Sequence, residues 1–186
     1  RQRQMCIRDS SKIEGQHMPK HNISVLGTGY VGLTTAVGFA SKGYKVIISG
    51  HDEQKVAMIN RGIPPFYEPG LTELLQRVMK NDNLECVLQS EEVILNTDIT
   101  FIAAGTPSQP DGSIDLQFLK KSSREIGEAL KKKSKYHLAV VKSTVIPNTT
   151  NNVVKPIIEK HSGKQCGIDF GLCMNPEFLA EGSALQ

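Results

Sequence analysis

The sequence has few cysteines, no long apolar stretch and no large excess of one charge, and each absence excludes a class of protein. Four cysteines occur in 186 residues, and their positions match neither a metal-ligand spacing such as C-x-x-C nor a disulfide framework. No stretch approaches the roughly 18 consecutive apolar residues of a membrane span. We therefore expect a protein that holds no metal, is not integral to a membrane and works in a reducing cytoplasm.

Positive and negative charges are nearly balanced, with 22 basic and 19 acidic residues. The cations are spread along the chain and do not form the basic stripe that nucleic-acid binding requires, so we expect no nucleic-acid partner. The one dense run is Lys131, Lys132 and Lys133. It ends a predicted amphipathic helix, where cations complement the helix dipole, and we expect these three side chains to be solvated.

The first 17 residues do not resemble part of a folded domain. They are polar, show no periodicity and lack the apolar core of a signal peptide. Residues 13–18 resemble a protease-site remnant, and residues 1–10 resemble translated adapter sequence. We expect residues 1–17 to be a disordered leader or an expression-derived tail, with a natural start at Met18 and one domain over residues 18–186.

A glycine-rich loop between an apolar strand and a helical pattern is the most informative feature of the chain. Residues 27–32 read GTGYVG and directly follow the apolar segment 23–26. In a G-x-G-x-x-G loop, Gly27 permits the tight turn, Gly29 lets a pyrophosphate approach the backbone, and Gly32 lets the helix pack on the strand. Free N–H groups at the helix N-terminus would hold the phosphates. The alternative is a glycine-rich turn that binds no ligand.

Strands and helices alternate along the rest of the chain. The pattern predicts strands at residues 23–26, 45–49, 85–88, 99–103, 137–142 and 172–174, and helices at residues 30–41, 53–60 (capped by Asp52), 71–79, 115–132 and 149–161. Residues 61–70 contain three prolines and are predicted to be an ordered loop or a lid. This alternation predicts an α/β fold: a Rossmann-like, doubly wound, mostly parallel sheet with helices on both faces.

Polar loops follow several of the predicted strands. Ligands of such a sheet bind beyond the carboxyl ends of its strands, so we consider residues 104–113, 143–147 and 175–183 as candidate site segments. A plain connecting loop would look similar at 104–113. If the last segment is helical, Glu177 and Glu181 lie on one face, which suits acid–base catalysis. Alternatively, these carboxylates only complement a helix dipole.

Five segments occur in an order that resembles UDP-glucose 6-dehydrogenases and related nucleotide-sugar 6-dehydrogenases. They are GTGYVG at 27–32, YEPGL at 67–71, GTP at 105–107 with DGS at 111–113, KSTV at 142–145 and NPEFLAEG at 175–182. The resemblance covers residues 20–186. It implies oxidation of a sugar C6 alcohol to a uronic acid in two NAD-dependent steps, through an aldehyde held as a thiohemiacetal on a cysteine.

The resemblance also implies roles for individual residues. Glu177 matches the acid/base carboxylate that activates the hydrolytic water, and Thr144 matches the residue that orders this water. The edge of the sugar-nucleotide pocket would be formed by Glu177, Phe178, Leu179 and Ala180. Cofactor contacts would come from Gly27, Thr28, Gly29, Tyr30, Val31, Gly32, Lys55, Ala104, Gly105, Thr106, Pro107, Ser108, Ser143, Thr144, Val145 and Glu181.

The chain departs from the usual dinucleotide fold at the adenosine ribose. An Asp or Glu after the second strand usually binds the ribose 2′-OH, but Gly50 stands at that position, and Asp52 is expected to cap the next helix. Ser49, His51 and Lys55 are nearby donors that could hold a 2′-phosphate. We expect NAD as the cofactor, as in the family, with NADP left open.

The chain is also short for this family. Family members are more than twice as long and continue with a central helix that forms the dimer and a second α/β domain. That domain carries the catalytic cysteine in a G-F-G-G-x-C-like motif, which none of the cysteines here matches. We therefore expect a fragment that binds the cofactor but does not turn over alone, from a full-length protein that is a homodimer or a higher oligomer.

Two other functions stay open at this point. One is another NAD(P)-linked dehydrogenase of the same superfamily, acting on a hydroxy acid or a sugar phosphate; it gives no reason for the Glu68-Pro69-Gly70 segment or for the two glutamates. The other is a non-catalytic nucleotide-sensing module, for which we expect a natural terminus near Gln186. The sequence does not select one nucleotide sugar, since glucose, mannose and N-acetylated hexosamine derivatives are all used within the family.

Overall fold

A single parallel sheet forms the centre of the molecule. The computed structural model describes residues 21–88 and 90–185, so the expected tail at residues 1–17 and the expected start at Met18 lie outside the described residues. All strand pairs of the sheet are parallel, in the order β3-β2-β1-β4-β5-β6. The strands are β1 (Ile23–Leu26), β2 (Val46–Ser49), β3 (Leu84–Val87), β4 (Ile99–Ile102), β5 (Leu138–Val141) and β6 (Gly171–Met174).

Helices cover both faces of this sheet. They are α1 (Tyr30–Ser41), α2 (Glu53–Asn60), α3 (Leu71–Lys80), α4 (Ser90–Leu95), α5 (Gln117–Lys132) and α6 (Lys155–Ser162). Helices α1, α2 and α3 bury their apolar residues in one core, and α4, α5 and α6 bury theirs in a second. Alternate residues of β1 face opposite cores, since Val25 belongs to the first and Leu26 to the second. The predicted doubly wound fold is confirmed.

Helices α1, α2 and α3 follow the predicted bounds to within one residue, whereas α5 begins two residues later than predicted. Helices α1 and α2 begin and end where the sequence predicts, and the Asp52 carboxylate accepts the N–H of Lys55 at 3.1 Å as the N-cap of α2. Helix α4 was not predicted, because its six residues are too few to show a periodic pattern. The helix predicted at 149–161 divides into a π-helical turn, Thr150–Val154, and α6.

None of the helices in the described residues is both long and apolar enough to cross a membrane.

The prediction that the lysine run is solvated was wrong for Lys133. Lys131 and Lys132 are exposed, whereas Lys133 is only 8% exposed. Its ammonium group donates hydrogen bonds to the carbonyl oxygens of Ile94 (2.8 Å) and Thr97. These bonds replace the hydrogen bonds to water that a buried ammonium group loses. Lys133, the C-cap residue of α5, therefore packs inside the protein.

Lys133 belongs to a buried polar network near the amino ends of the strands. Its Nζ donates to Nδ1 of His137 at 3.0 Å, and Nε2 of His137 lies 2.8 Å from the Thr100 hydroxyl. The chain continues to the hydroxyl of Ser24, 2.6 Å from that of Thr100, and Thr97 donates to the Ser24 hydroxyl at 2.9 Å. Burial and the nearby Lys133 charge lower the pKa of His137 to about 4, so the imidazole is neutral near pH 7.

We predict that acid destabilises the fold through His137. Its pKa is about 4 in the folded chain and about 6.5 in the unfolded chain, so between these values the unfolded chain binds the additional proton. The contribution is intact above pH 6.5 and is lost as the pH falls towards 4, with about 2 kcal/mol of unfolding free energy lost between pH 7.5 and pH 5. Urea unfolding at both pH values measures this loss.

The control for this prediction is a pair of variants. His137→Gln should show a pH dependence smaller by about 2 kcal/mol, whereas His21→Gln, at a side chain that is 60% exposed, should retain the full dependence. An unchanged pH dependence in the His137→Gln variant would contradict the assignment.

Candidate functional site

The candidate site lies where the strand order reverses. Strands β2 and β4 flank β1 on opposite sides, so the loops after β1 and β4 lead away in opposite directions and leave a crevice at the carboxyl edge. The two loops are held close together. The N–H of Gly27 donates to Ser49 O at 2.8 Å, and the N–H of Ala103 donates to Leu26 O at 2.9 Å. The glycine loop therefore forms part of the floor of the crevice.

The three glycines of the loop meet different surroundings. Gly27 has φ +123°, and a Cβ there would lie 2.4 Å from Ala103 O; a Cβ on Gly32 would lie 1.9 Å from Gly27 O. Gly29 differs, because a Cβ there would meet no heavy atom of the described chain within 4 Å. Two glycines thus permit close packing, and the third leaves backbone open towards the crevice.

The open backbone leads directly into the N-terminus of α1. Helix α1 begins at Tyr30, and the first N–H with a partner within the helix is that of Leu33, which donates to Gly29 O at 2.9 Å. The N–H groups of the first turn therefore have no intrahelical acceptor. Together with the helix dipole, they favour an anion placed against Gly29.

A cleft of about 320 Å³ extends from the glycine loop towards α2 and α5, and we call it the first cleft. Its walls come from the ends of β1, β2 and β4 and from both helices. Its lining consists of Leu26, Gly27, Thr28, Gly29, Ser49, Gly50, His51, Asp52, Lys55, Ala103, Ala104, Gly105, Phe118, Lys121, Ser122 and Glu125. Of the residues expected to contact a cofactor, the cleft brings together Gly27, Thr28, Gly29, Lys55, Ala104 and Gly105.

Sequence reasoning missed the contribution of α5 to the first cleft. Phe118, Lys121, Ser122 and Glu125 line it, and their spacing of three, one and three residues places them on one helix face. That spacing was the available signal. Glu125 Oε1 also lies 3.6 Å from Nε2 of His51, so α5 contacts the loop after β2.

The end of β2 has the predicted departure from the usual dinucleotide fold. Gly50 donates its N–H to Val87 O at 3.1 Å, and a Cβ at Gly50 would lie 2.5 Å from Cγ2 of Thr28. Thr28 therefore fills the space into which a side chain at position 50 would extend. Asp52 caps α2, as predicted.

A second cleft of about 250 Å³ continues from the first on the other side of the glycine loop. The two share Gly29, Ala103, Ala104 and Gly105, so one extended ligand can lie across both. The second cleft is lined by Gly29, Tyr30, Val31, Ala103, Ala104, Gly105, Thr106, Lys142, Ser143, Thr144 and Glu177. Glu177 and Thr144, the two candidate catalytic residues, thus line the same cleft.

Hydrogen bonds between loops fix the walls of the second cleft. Ser143 is buried, and its hydroxyl donates to Ala104 O at 2.7 Å. The Thr106 hydroxyl donates to Thr144 O at 2.8 Å, and Lys142 Nζ donates to Asn175 Oδ1 at 2.9 Å. The hydroxyls of Ser143 and Thr106 therefore form hydrogen bonds within the protein, whereas Thr144 is exposed to the cleft.

The condition under which Glu177 and Glu181 would share a helix face is not met, because this segment is not helical. Residues 175–180 have no regular secondary structure, and residues 181–185 form turns. The Glu177 carboxylate accepts the N–H of Leu179 two residues later. The N–H groups of Gly182 and Ala184 donate to the carboxylate of Glu68 at 2.7 and 2.9 Å, so they are not available for helical bonds.

Eight candidate residues lie outside the lining of both clefts: Gly32, Pro107, Ser108, Val145, Phe178, Leu179, Ala180 and Glu181. Pro107 and Ser108 lead into a turn that Ser108 closes with Ile114, and Val145 packs against the second core. Phe178 is 88% exposed.

The turn that begins at Ser108 contains the DGS segment. The Asp111 carboxylate accepts the hydroxyl (2.6 Å) and the N–H (2.9 Å) of Ser113. These two bonds hold the pKa of Asp111 below its usual value. Asp111 therefore stabilises the turn of its own loop.

Comparison with known proteins links this site to a family. A family model described as the NAD binding domain of the UDP-glucose/GDP-mannose dehydrogenase family matches residues 21–186. A GDP-mannose 6-dehydrogenase of Pseudomonas aeruginosa is 43% identical over 164 residues, which are 88% of this chain and 38% of that protein. A UDP-glucose 6-dehydrogenase of Haloferax volcanii is 47% identical over the same shares. The chain thus spans little more than a third of these relatives.

Solved structures agree with the sequence matches. A ternary complex of GDP-mannose dehydrogenase from Pseudomonas aeruginosa superposes with a TM-score of 0.87 at 43% identity, covering 88% of this chain and 38% of that chain. A UDP-glucose dehydrogenase from Pyrobaculum islandicum gives 0.85 at 44% identity, with 92% and 39% covered.

We predict that two glycines of α1 respond oppositely to alanine. Gly32→Ala places a Cβ 1.9 Å from Gly27 O and should cost about 1–3 kcal/mol of unfolding free energy through overpacking. Gly38→Ala adds a Cβ that meets no described atom within 4 Å and should stabilise α1 by about 0.5–1 kcal/mol. Urea unfolding of both variants measures the difference; equal effects would contradict the close approach at Gly32.

Proposed function

This chain belongs to the UDP-glucose/GDP-mannose dehydrogenase family, and we propose that it forms the NAD-binding part of an enzyme that oxidises a nucleotide sugar at C6. UDP-glucose or a related nucleotide sugar is the substrate, and the uronic acid is the product. The observation that carries this proposal is the open backbone at Gly29, between two tightly packed glycines and at the start of α1.

The residues present fit a dinucleotide. The glycine loop offers free N–H groups to a pyrophosphate, and the two connected clefts give room for a group on either side of it. Lys55 and Lys121 line the first cleft and add positive charge near a phosphate. When bound, NAD serves as the electron acceptor for oxidation of the alcohol.

The second cleft supplies side chains for the reaction. Glu177 lines it and is only partly exposed, so its carboxylate can take a proton from a water in the cleft. Thr144 is exposed on the same lining and can hold that water by its hydroxyl. Phe178, Leu179 and Ala180 follow Glu177 in the chain outside the lining of the second cleft, and we assign them to the edge of the sugar-nucleotide pocket.

The complete enzyme is a longer protein in this proposal. Further chain supplies the cysteine that holds the aldehyde, most of the sugar-nucleotide pocket and the contacts of a homodimer or higher oligomer, and the enzyme works in the cytoplasm. Neither another hydroxy-acid or sugar-phosphate dehydrogenase nor a nucleotide-sensing module accounts as well for Glu177 and Thr144 on one cleft.

We predict saturable binding of NAD to the chain. Calorimetric titration of the 186-residue chain should give one site per chain. Gly29→Ala should weaken binding at least about tenfold, because its Cβ enters the space of the pyrophosphate while meeting no described protein atom. Gly38→Ala in the same helix, away from both clefts, is the matched control. Absence of binding to folded protein would refute the assignment.

NADP is the second candidate cofactor for the same site. Position 50 itself carries no carboxylate to repel a 2′-phosphate, and His51, Lys55 and Lys121 line the cleft together with the carboxylates of Asp52 and Glu125. We predict that NADP binds within about tenfold of NAD. Because Thr28 blocks a side chain at position 50, Gly50→Asp should favour NAD strongly only when combined with Thr28→Gly. Titrations of each variant with NAD and with NADP measure the ratio of the two affinities, with the single variant Thr28→Gly as the control. A strong preference for NAD in the unmodified chain would exclude NADP.

A further inference from the structure

Three segments that are distant in sequence meet at the buried carboxylate of Glu68. The side chain is 4% exposed. Tyr30 Oη and the N–H of Gly182 both donate to its Oε2 at 2.7 Å, and the N–H of Ala184 donates to its Oε1 at 2.9 Å. These partners lie 38, 114 and 116 residues from Glu68 in the sequence, so the contact joins three separate parts of the chain.

Glu68 is itself held firmly in place. It lies at the end of the proline-containing loop, where its carbonyl accepts the N–H of Leu71 at 3.1 Å. Leu71 begins α3 and is fully buried. The neighbouring Phe66 ring packs 5.1 Å from the Tyr30 ring. The carboxylate is therefore anchored to the first core, and the segments that donate to it take their position from it.

The electrostatics of the contact favour an ionised Glu68 and a neutral Tyr30. Burial acts to raise the pKa of Glu68, but hydrogen bonds from Tyr30, Gly182 and Ala184 outweigh it and hold the pKa below its usual value. Burial, the hydrogen bond to Glu68 and the negative charges of Glu68 and Glu181 raise the pKa of Tyr30 to about 12. The phenol thus remains a donor, and the carboxylate remains an acceptor at both oxygens.

We propose that Glu68 is a positioning residue for the reaction. It fixes Tyr30 at the wall of the second cleft. It also holds the turn at residues 181–185, which contains Glu181 and begins four residues after Glu177. The inference rests on the proposed function for its catalytic meaning, while the contact itself does not depend on it. Tyr30 reinforces the arrangement, because its hydroxyl also lies 3.3 Å from Ala180 O.

Glutamine has the size of glutamate but cannot replace it in this contact. Its side chain has one acceptor oxygen, and its NH₂ group is a donor, whereas both oxygens of Glu68 accept hydrogen bonds. In either orientation of the Glu68→Gln side chain, the NH₂ group would face a backbone N–H, that of Ala184 or that of Gly182, without an acceptor between them. Glu73→Gln, an exposed glutamate in the first turn of α3, is the matched control.

The first test is amide hydrogen exchange by NMR on the chain without cofactor. In Glu68→Gln, at least one of the N–H groups of Gly182 and Ala184 should exchange at least about tenfold faster than in the unmodified chain, since the two bond to different oxygens and glutamine keeps only one acceptor. Glu73→Gln should leave both rates unchanged. Unchanged exchange at both amides in Glu68→Gln would overturn the inference.

The second test is a double-mutant cycle on NAD affinity with Glu68→Gln and Tyr30→Phe. Each change should weaken NAD binding about fivefold, and the double variant should bind no more weakly than either single variant, because both break one contact. Additive losses would show a general destabilisation and overturn the inference. If the unmodified chain binds no NAD, the proposed function fails, and the exchange rates alone decide the role of Glu68.

Discussion

The structure depends on how closely the start of α1 approaches the ends of β1 and β4. The carbonyl oxygens of Gly27 and Ala103 occupy the positions that side chains at residues 32 and 27 would need. This approach brings the N-terminus of α1 to the carboxyl edge of the sheet, beside the loop after β4. The open backbone at Gly29 and the continuity of the two clefts both follow from it.

The polar groups at the two edges of the sheet have different surroundings. Near the amino ends, Lys133, His137, Thr100, Ser24 and Thr97 form one buried hydrogen-bonded network. At the carboxyl edge, polar side chains and the N–H groups of the first turn of α1 face a crevice. Buried polar groups need partners, and where the protein does not supply them a ligand can. The chemistry is therefore expected at the carboxyl edge.

Local signals predicted most of the fold, and long-range contacts account for most of what was not predicted. The Asp52 cap of α2 and the glycine loop act over a few residues, so the sequence alone indicates them. Lys133 is buried because it meets carbonyl oxygens from Ile94 in α4 and from Thr97, two residues before β4. The segment after Glu177 is not helical because Glu68, more than a hundred residues away, accepts two of its N–H groups. The hydrophobic periodicity of a sequence does not indicate such long-range contacts.

The most direct test of the account is NMR mapping of the chain as NAD is added. We predict that the amide signals of residues 27–32, 49–55, 103–106 and 143–144 shift together with one affinity. Signals near His137 and Lys133, at the opposite edge, should remain in place. Shifts confined to the opposite edge, or no shifts at all in a folded chain, would contradict the claim that the carboxyl edge binds the dinucleotide.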